Sequence, residues 1–192
     1  LPRLAESTVR ELAQPDLDEL SRRKLGHNMA ALGAQAVDAL LKRFNEAPAV
    51  ERAALASFLD ALGMERDLPA RERSRIARTM LDGVKSGDAR VRLALLSTHT
   101  LAQADLDAHM QKELAAELLP LLRVRDFPEL AAQAAALLER IGPPAAHGLF
   151  DLIQEHPAAP EADAAARALG RILSRAEEGA PMAEMLPGVI DL

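Results

Sequence analysis

Two segments of this chain carry nearly the same instruction. Leu32-Gly33-Ala34-Gln35-Ala36-Val37-Asp38-Ala39-Leu40-Leu41 and Ile141-Gly142-Pro143-Pro144-Ala145-Ala146-His147-Gly148-Leu149-Phe150 each run through an aliphatic residue, a glycine, two small or turn-prone residues and then a fresh helix. A short helix with one apolar stripe cannot bury that stripe alone. Copies at a fixed spacing bury it against one another, so the recurrence predicts a stacked helical array. Gly63 and Gly142 stand about two periods of about 40 residues apart, the spacing of paired-helix arrays.

The apolar residues follow the same rhythm. Val37, Leu40, Leu41 and Phe44 fall at i, i+3, i+4 and i+7, one stripe of a helix that Glu46-Ala47-Pro48 ends. A second stripe runs from Val50 through Leu55, Phe58, Leu59 and Leu62 to Gly63, which reads as a left-handed C-terminal cap. Ile76, Met80, Leu81 and Val84 form the next first helix, Gly87-Asp88 breaks it, and Val91 to Leu101 forms its second. Leu114, Leu118, Leu121 and Leu122 precede a Phe127-Pro128 break before Ala134, Leu137, Leu138 and Ile141. Leu149 and Ile153, a turn over Pro157 to Pro160, and Ala165, Leu169 and Ile172 complete the last full pair. The expected repeats are 34–63, 68–104, 107–142 and 143–175, within one domain spanning 1–192. Residues 1–33 read as a divergent first pair and 176–192 as the start of a further helix. The start at Leu1 and the apolar C-terminal segment suggest a piece of a longer protein.

Composition agrees with helices and narrows the function classes. Aromatic residues make up 2% of the chain, with no Trp or Tyr, so Leu, Ala, Ile, Val and Met must do the packing. The formal charge of −6 opposes general binding to phosphate backbones, which needs a dense one-sided set of cations. The absence of cysteine removes disulfides, thiolate nucleophiles and thiolate metal sites, and suits a cytoplasmic location. Every apolar run is too short to span a bilayer.

The chain resembles the HEAT-repeat family, the broad class that includes the bacterial PBS-lyase HEAT-like variants. The resemblance lies in the Leu32-Gly33 and Ile141-Gly142 turns and in Asp88-Ala89-Arg90-Val91-Arg92, similar to the family's Asp-x-x-Val-Arg at the start of a second helix. Val50-Glu51-Arg52 is a looser copy and Glu161-Ala162-Asp163 looser still. It covers roughly residues 34 to 175 and implies an all-α, right-handed α-α superhelix of about four to five antiparallel helix pairs. Asp88 is expected to cap its helix, Val91 to face the core, and Arg92 to stay at the surface and pair with an acidic neighbour.

Chemistry is sparse in the sequence. No two of His27, His99, His109, His147 and His156 have the i, i+3 or i+4 spacing of a helical metal pair. Asp105-Leu106-Asp107-Ala108-His109 sits where a helix begins, which makes it a capping segment. No phosphate loop and no G-x-S-x-G elbow occur. Arg71-Glu72-Arg73-Ser74-Arg75, with Arg66 and Arg78, reads as a solvated helix start. The methionines are scattered core fillers, except Met182 and Met185. The polar run Ser97-Thr98-His99-Thr100 interrupts an expected second helix, its hydroxyls bonding to carbonyls one turn back or facing a partner.

What remains is a surface. In paired-helix arrays of this family the second helices line the concave face, which would display Arg52, Asp60, Arg92, His99, Gln133, Arg140, Arg167 and Arg171 to a partner. Arginine is a favoured interface anchor, the more so in a chain without Trp or Tyr. The reading is therefore a non-enzymatic protein-interaction scaffold or regulatory module that needs no cofactor or metal. Its partner is a protein, or the rest of its own longer chain, rather than nucleic acid or membrane. Two alternatives from the same resemblance are a bilin lyase-like or other HEAT-containing enzyme subunit and a HEAT-like nucleic-acid-binding protein.

Overall fold

The computed structural model describes residues 34–64, 68–102 and 106–177, together with Ser7 and Ser21. The expected first pair, the Leu32-Gly33 turn, Arg66, Asp105 and the C-terminal methionines lie outside them, as does the expected further helix beyond residue 177. Among the described residues the structure is entirely helical. In order the helices are α1 (Ala34–Glu46), α2 (Ala49–Gly63), α3 (Ala70–Lys85), α4 (Ala89–Leu96), α5 (Ala108–Leu118), α6 (Pro128–Ile141), α7 (Pro143–Glu155) and α8 (Pro160–Glu177). Short 3-10 segments cover Thr100–Ala102 and Leu119–Arg123.

Local chemistry accounts for most of these boundaries. Pro48, Pro69 and Phe127-Pro128 stand at the starts of α2, α3 and α6, where a proline costs no helical hydrogen bond. Gly87 turns the chain at a φ of 88°, and Asp88 then caps α4 by accepting from the amides of Arg90 and Val91 at 3.0 and 3.1 Å. Asp107 caps α5 in the same way, accepting from Met110 N at 2.8 Å. Gly142 closes α6 at a φ of 73°, donating its N–H to the Leu138 carbonyl at 3.1 Å, and Pro143 opens α7 at once.

The chain forms two compact units, Leu1–Leu101 and Ala102–Leu192, divided next to the junction expected between the 68–104 and 107–142 repeats. In the first, α1 pairs with α2 and α3 with α4, while α1 also packs on α3 and α2 on α4. The second repeats this scheme: α5 pairs with α6, α7 with α8, and like helices again adjoin, α5 on α7 and α6 on α8. An up-and-down bundle would be closed by contact between its first and last helices. Neither α1 with α4 nor α5 with α8 forms such a contact layer. Among the described residues each unit thus holds two hairpins laid side by side, with first helices in one layer and second helices in the other.

The predicted stripes supply the cores. Leu40, Phe44, Leu55, Leu59, Ile76, Met80, Leu81 and Leu95 are fully buried in the first unit, each contributing about 1.5 to 3 kcal/mol through removal of apolar surface from water. The second relies on Leu114, Leu118, Leu137, Leu138 and Leu149, with Ala146, Ala165 and Ala168 also wholly buried. Those alanines let helices approach closely.

Two expectations need correction. The helix expected from Val91 to Leu101 stops at Leu96, because Ser97 and Thr98 turn the chain into the 3-10 segment. Gly63 is not a left-handed cap: it is the last helical residue of α2, and the described glycines with positive φ are Gly87 and Gly142. Its role is the close approach described next. No described helix is long and apolar enough to cross a membrane.

Candidate binding face of the second helices

In the first unit, α2 and α4 carry Arg52, Asp60 and Arg92, and His99 follows α4. The structure brings Asp60 and His99 together, but around a clamp. Asp60 Oδ1 accepts from the backbone N–H of Thr100 at 2.7 Å and from its hydroxyl at 2.8 Å, while the Asp60 carbonyl lies 3.3 Å from that hydroxyl. The second carboxylate oxygen lies 3.2 Å from Nδ1 of His99, whose ring is largely exposed. Gly63 makes room for this knot: a Cβ there would stand 2.5 Å from Thr100 Oγ1 and 2.9 Å from its Cγ2. Ser97 and Thr98 complete it, donating their hydroxyls to the Leu93 and Leu95 carbonyls at 2.9 and 2.6 Å. The polar run is therefore a helix stop fastened to α2, with Thr98 and Thr100 buried.

Arg92 is also engaged inward. Its Nε donates to the carbonyl of Val84 in the last turn of α3 at 2.7 Å, so it meets an orphan helix-end carbonyl rather than the expected acidic side chain. The Asp-x-x-Val-Arg block divides its labour: Asp88 caps α4, Val91 is buried, and Arg92 ties α4 to the end of α3. Arg52 is half-buried, and its Nε has no hydrogen-bond partner among the described residues. Its neighbour Glu51 holds Arg43 of α1 through two bonds of 2.5 and 2.7 Å.

Within the basic stretch of α3, Arg73 and Arg75 are structural: Arg73 Nη1 donates to the Leu68 carbonyl at 2.7 Å. Arg75 reaches Asp38 on α1 at 2.8 Å and Glu72 at 2.6 Å, and these hydrogen bonds, that to Asp38 first, hold its pKa above the ordinary guanidinium value. A guanidinium raised in this way stays charged at any pH the fold survives.

The second unit differs. Gln133 and Arg140 lie on the exposed stripe of α6 with Ala132 and Ala136, and Arg167 and Arg171 lie on that of α8 with Ala166 and Gly170. Because α6 and α8 pack side by side with α5 and α7 behind them, these stripes share the outer face of the second-helix layer. Glu139, mostly buried, joins the two helices by accepting from Arg171 Nη1 with both oxygens, at 2.9 and 3.0 Å. Arg175 also reaches the Glu139 carbonyl, at 3.4 Å. Sequence reading passed over Arg175, although it lies one turn beyond Arg171 on the same stripe. Arg140 and Arg167 are exposed and have no hydrogen-bond or ion-pair partner among the described residues.

Among the described residues no three His, Asp or Glu side chains are grouped so as to hold a metal ion. The chain matches no known family model and no curated protein.

Proposed function

We propose that this chain is a HEAT-like helical-repeat module that binds a partner protein on the outer face of its second helices, without a covalent step. The reading takes the hairpins as consecutive turns of a right-handed α-α superhelix. What supports it most is the side-by-side packing of like helices inside each unit, α2 on α4 and α6 on α8, which gathers second-helix side chains from different hairpins onto one face. The division of labour within Asp88, Val91 and Arg92 adds support, since cap, core residue and tie are what a repeat needs at each junction.

On this reading each unit presents a second-helix face of its own, and the two differ in character. In the first unit Asp60 and Arg92 hold the scaffold in shape, and α2 offers an outer stripe of Val50, Ser57 and Ala61, continued by Met64 just past its end. In the second unit Arg140 and Arg167 face water and are available. A photo-crosslinking residue placed at Gln133 or Ala166 should capture a protein in native extract, while the same residue at the exposed Ala116 of α5 should not. Equal capture from both layers, or capture of nucleic acid alone, would overturn the reading.

A further inference from the structure

Resting on that proposed face, we infer that its second-unit part receives an acidic protein segment, laid across the C-terminal halves of α6 and α8. Charge distribution carries the inference. The chain as a whole has a net charge of −6, yet Arg140, Arg167, Arg171 and Arg175 all lie on these two neighbouring helices. The first helices of the same unit, α5 and α7, carry Glu113, Glu117, Asp151 and Glu155 against the single lysine Lys112. α6 and α8 also carry Glu129, Glu139, Glu161, Asp163 and Glu177, but Glu129, Glu161 and Asp163 stand at the helix starts, so away from those starts the four arginines outnumber Glu139 and Glu177 and form a local attractive field on an acidic body.

The floor of this face is low. Ala132, Ala136, Ala166 and Gly170 are exposed between the arginines, and a Cβ added at Gly170 would meet nothing within 4 Å. A partner backbone can therefore approach closely while its carboxylates reach outward to the guanidinium groups. Glu139 takes up Arg171, both carboxylate oxygens accepting from its Nη1, and leaves Arg140 and Arg167 open for pairing. Asp163 and Glu129, near the starts of α8 and α6, would repel an acidic segment and so confine it to the other end. Duplex DNA is disfavoured: no described Phe lies on α6 or α8, the chain has no Trp or Tyr, and the surrounding charge is negative.

The test uses the full chain and two fluorescein-labelled amphipathic helical peptides of equal apolar content, one with Glu and one with Lys at its polar positions. Anisotropy should show binding of the Glu peptide only, weakening as salt rises. R140A/R167A should weaken it by about two- to thirtyfold, the range for two solvent-exposed ion pairs, with an unchanged circular dichroism spectrum and melting curve. E139Q should instead tighten it severalfold, since it removes the negative charge at the centre of the patch and frees Arg171. Equal or tighter binding of the Lys peptide, indifference to R140A/R167A, or equally tight binding of duplex DNA would overturn the inference. If the Glu peptide fails while crosslinkers at Gln133 still capture a protein, the acidic-partner inference falls and the interaction face stands. Failure of both removes both.

Discussion

Gly63→Ala should destabilise the protein, although alanine is the better helix former and Gly63 does not have a positive φ. The gain from replacing glycine in a helix is at most about 1 kcal/mol, and less at a helix end. Against it stands a new Cβ at 2.5, 2.9 and 3.3 Å from Oγ1, Cγ2 and Cβ of Thr100, well inside contact distance. Thr100 cannot swing aside cheaply: it is buried, and both its amide and its hydroxyl are fastened to Asp60. Overpacking of this kind costs about 1 to 3 kcal/mol, so a net loss of about 1 to 2 kcal/mol is expected. In a chain of this size that lowers Tm by about 2 to 8 °C. With no Trp or Tyr in the sequence, far-ultraviolet circular dichroism during urea and thermal unfolding is the appropriate probe. The decisive comparison is the double-mutant cycle with Thr100→Ala. Removing the hydroxyl and Cγ2 should make Gly63→Ala close to neutral in that background, giving a coupling of about 1 to 2 kcal/mol. A Gly63→Ala protein as stable as the parent while Thr100 is intact would refute the claim that this glycine exists for close approach.

Other positions give contrasting expectations. Asp60→Ala should cost about 2 to 3 kcal/mol in urea unfolding, because the buried Thr100 hydroxyl and amide lose their shared acceptor; Asp60→Asn, which keeps one acceptor oxygen, should cost less. Gly148→Ala should be neutral or mildly stabilising despite a nominal overlap of the new Cβ with Leu119 Cδ1: Leu119 is only partly buried, its methyl group can turn away, and the mid-helix gain of up to about 1 kcal/mol then remains. A loss at Gly148→Ala as large as that at Gly63→Ala would show that neighbour mobility does not decide these sites.

Much of the helical order was legible one residue at a time. Asp88 and Asp107 are helix caps because their carboxylates accept amides two or three positions ahead, an interaction confined to a few consecutive residues. The buried stripes of α1, α3 and α6 followed from spacing, since a helix turning every 3.6 residues leaves little choice of inward face. Gly142 was readable for the same local reason, as a positive φ belongs to one residue and its turn. The candidate face was legible only as a roster of arginines, because the pattern could name second helices but not the partners of their side chains.

Those partners lie far along the chain, and tertiary packing alone chose them. Asp60 meets Thr100 across 40 positions and Arg171 meets Glu139 across 32, so nothing in the neighbourhood of either residue announced the pairing. Packing set Arg92 on a helix-end carbonyl and left Arg140 and Arg167 facing water, though the sequence presents all three as charged residues of second helices. It also gave Gly63 a reason unlike that of Gly142. The chain by itself determined where helices begin, end and turn their apolar sides, because backbone geometry and capping act over a single turn. Which charges hold the scaffold together and which stay free was decided by the layered packing, because only it brings distant turns within hydrogen-bond reach.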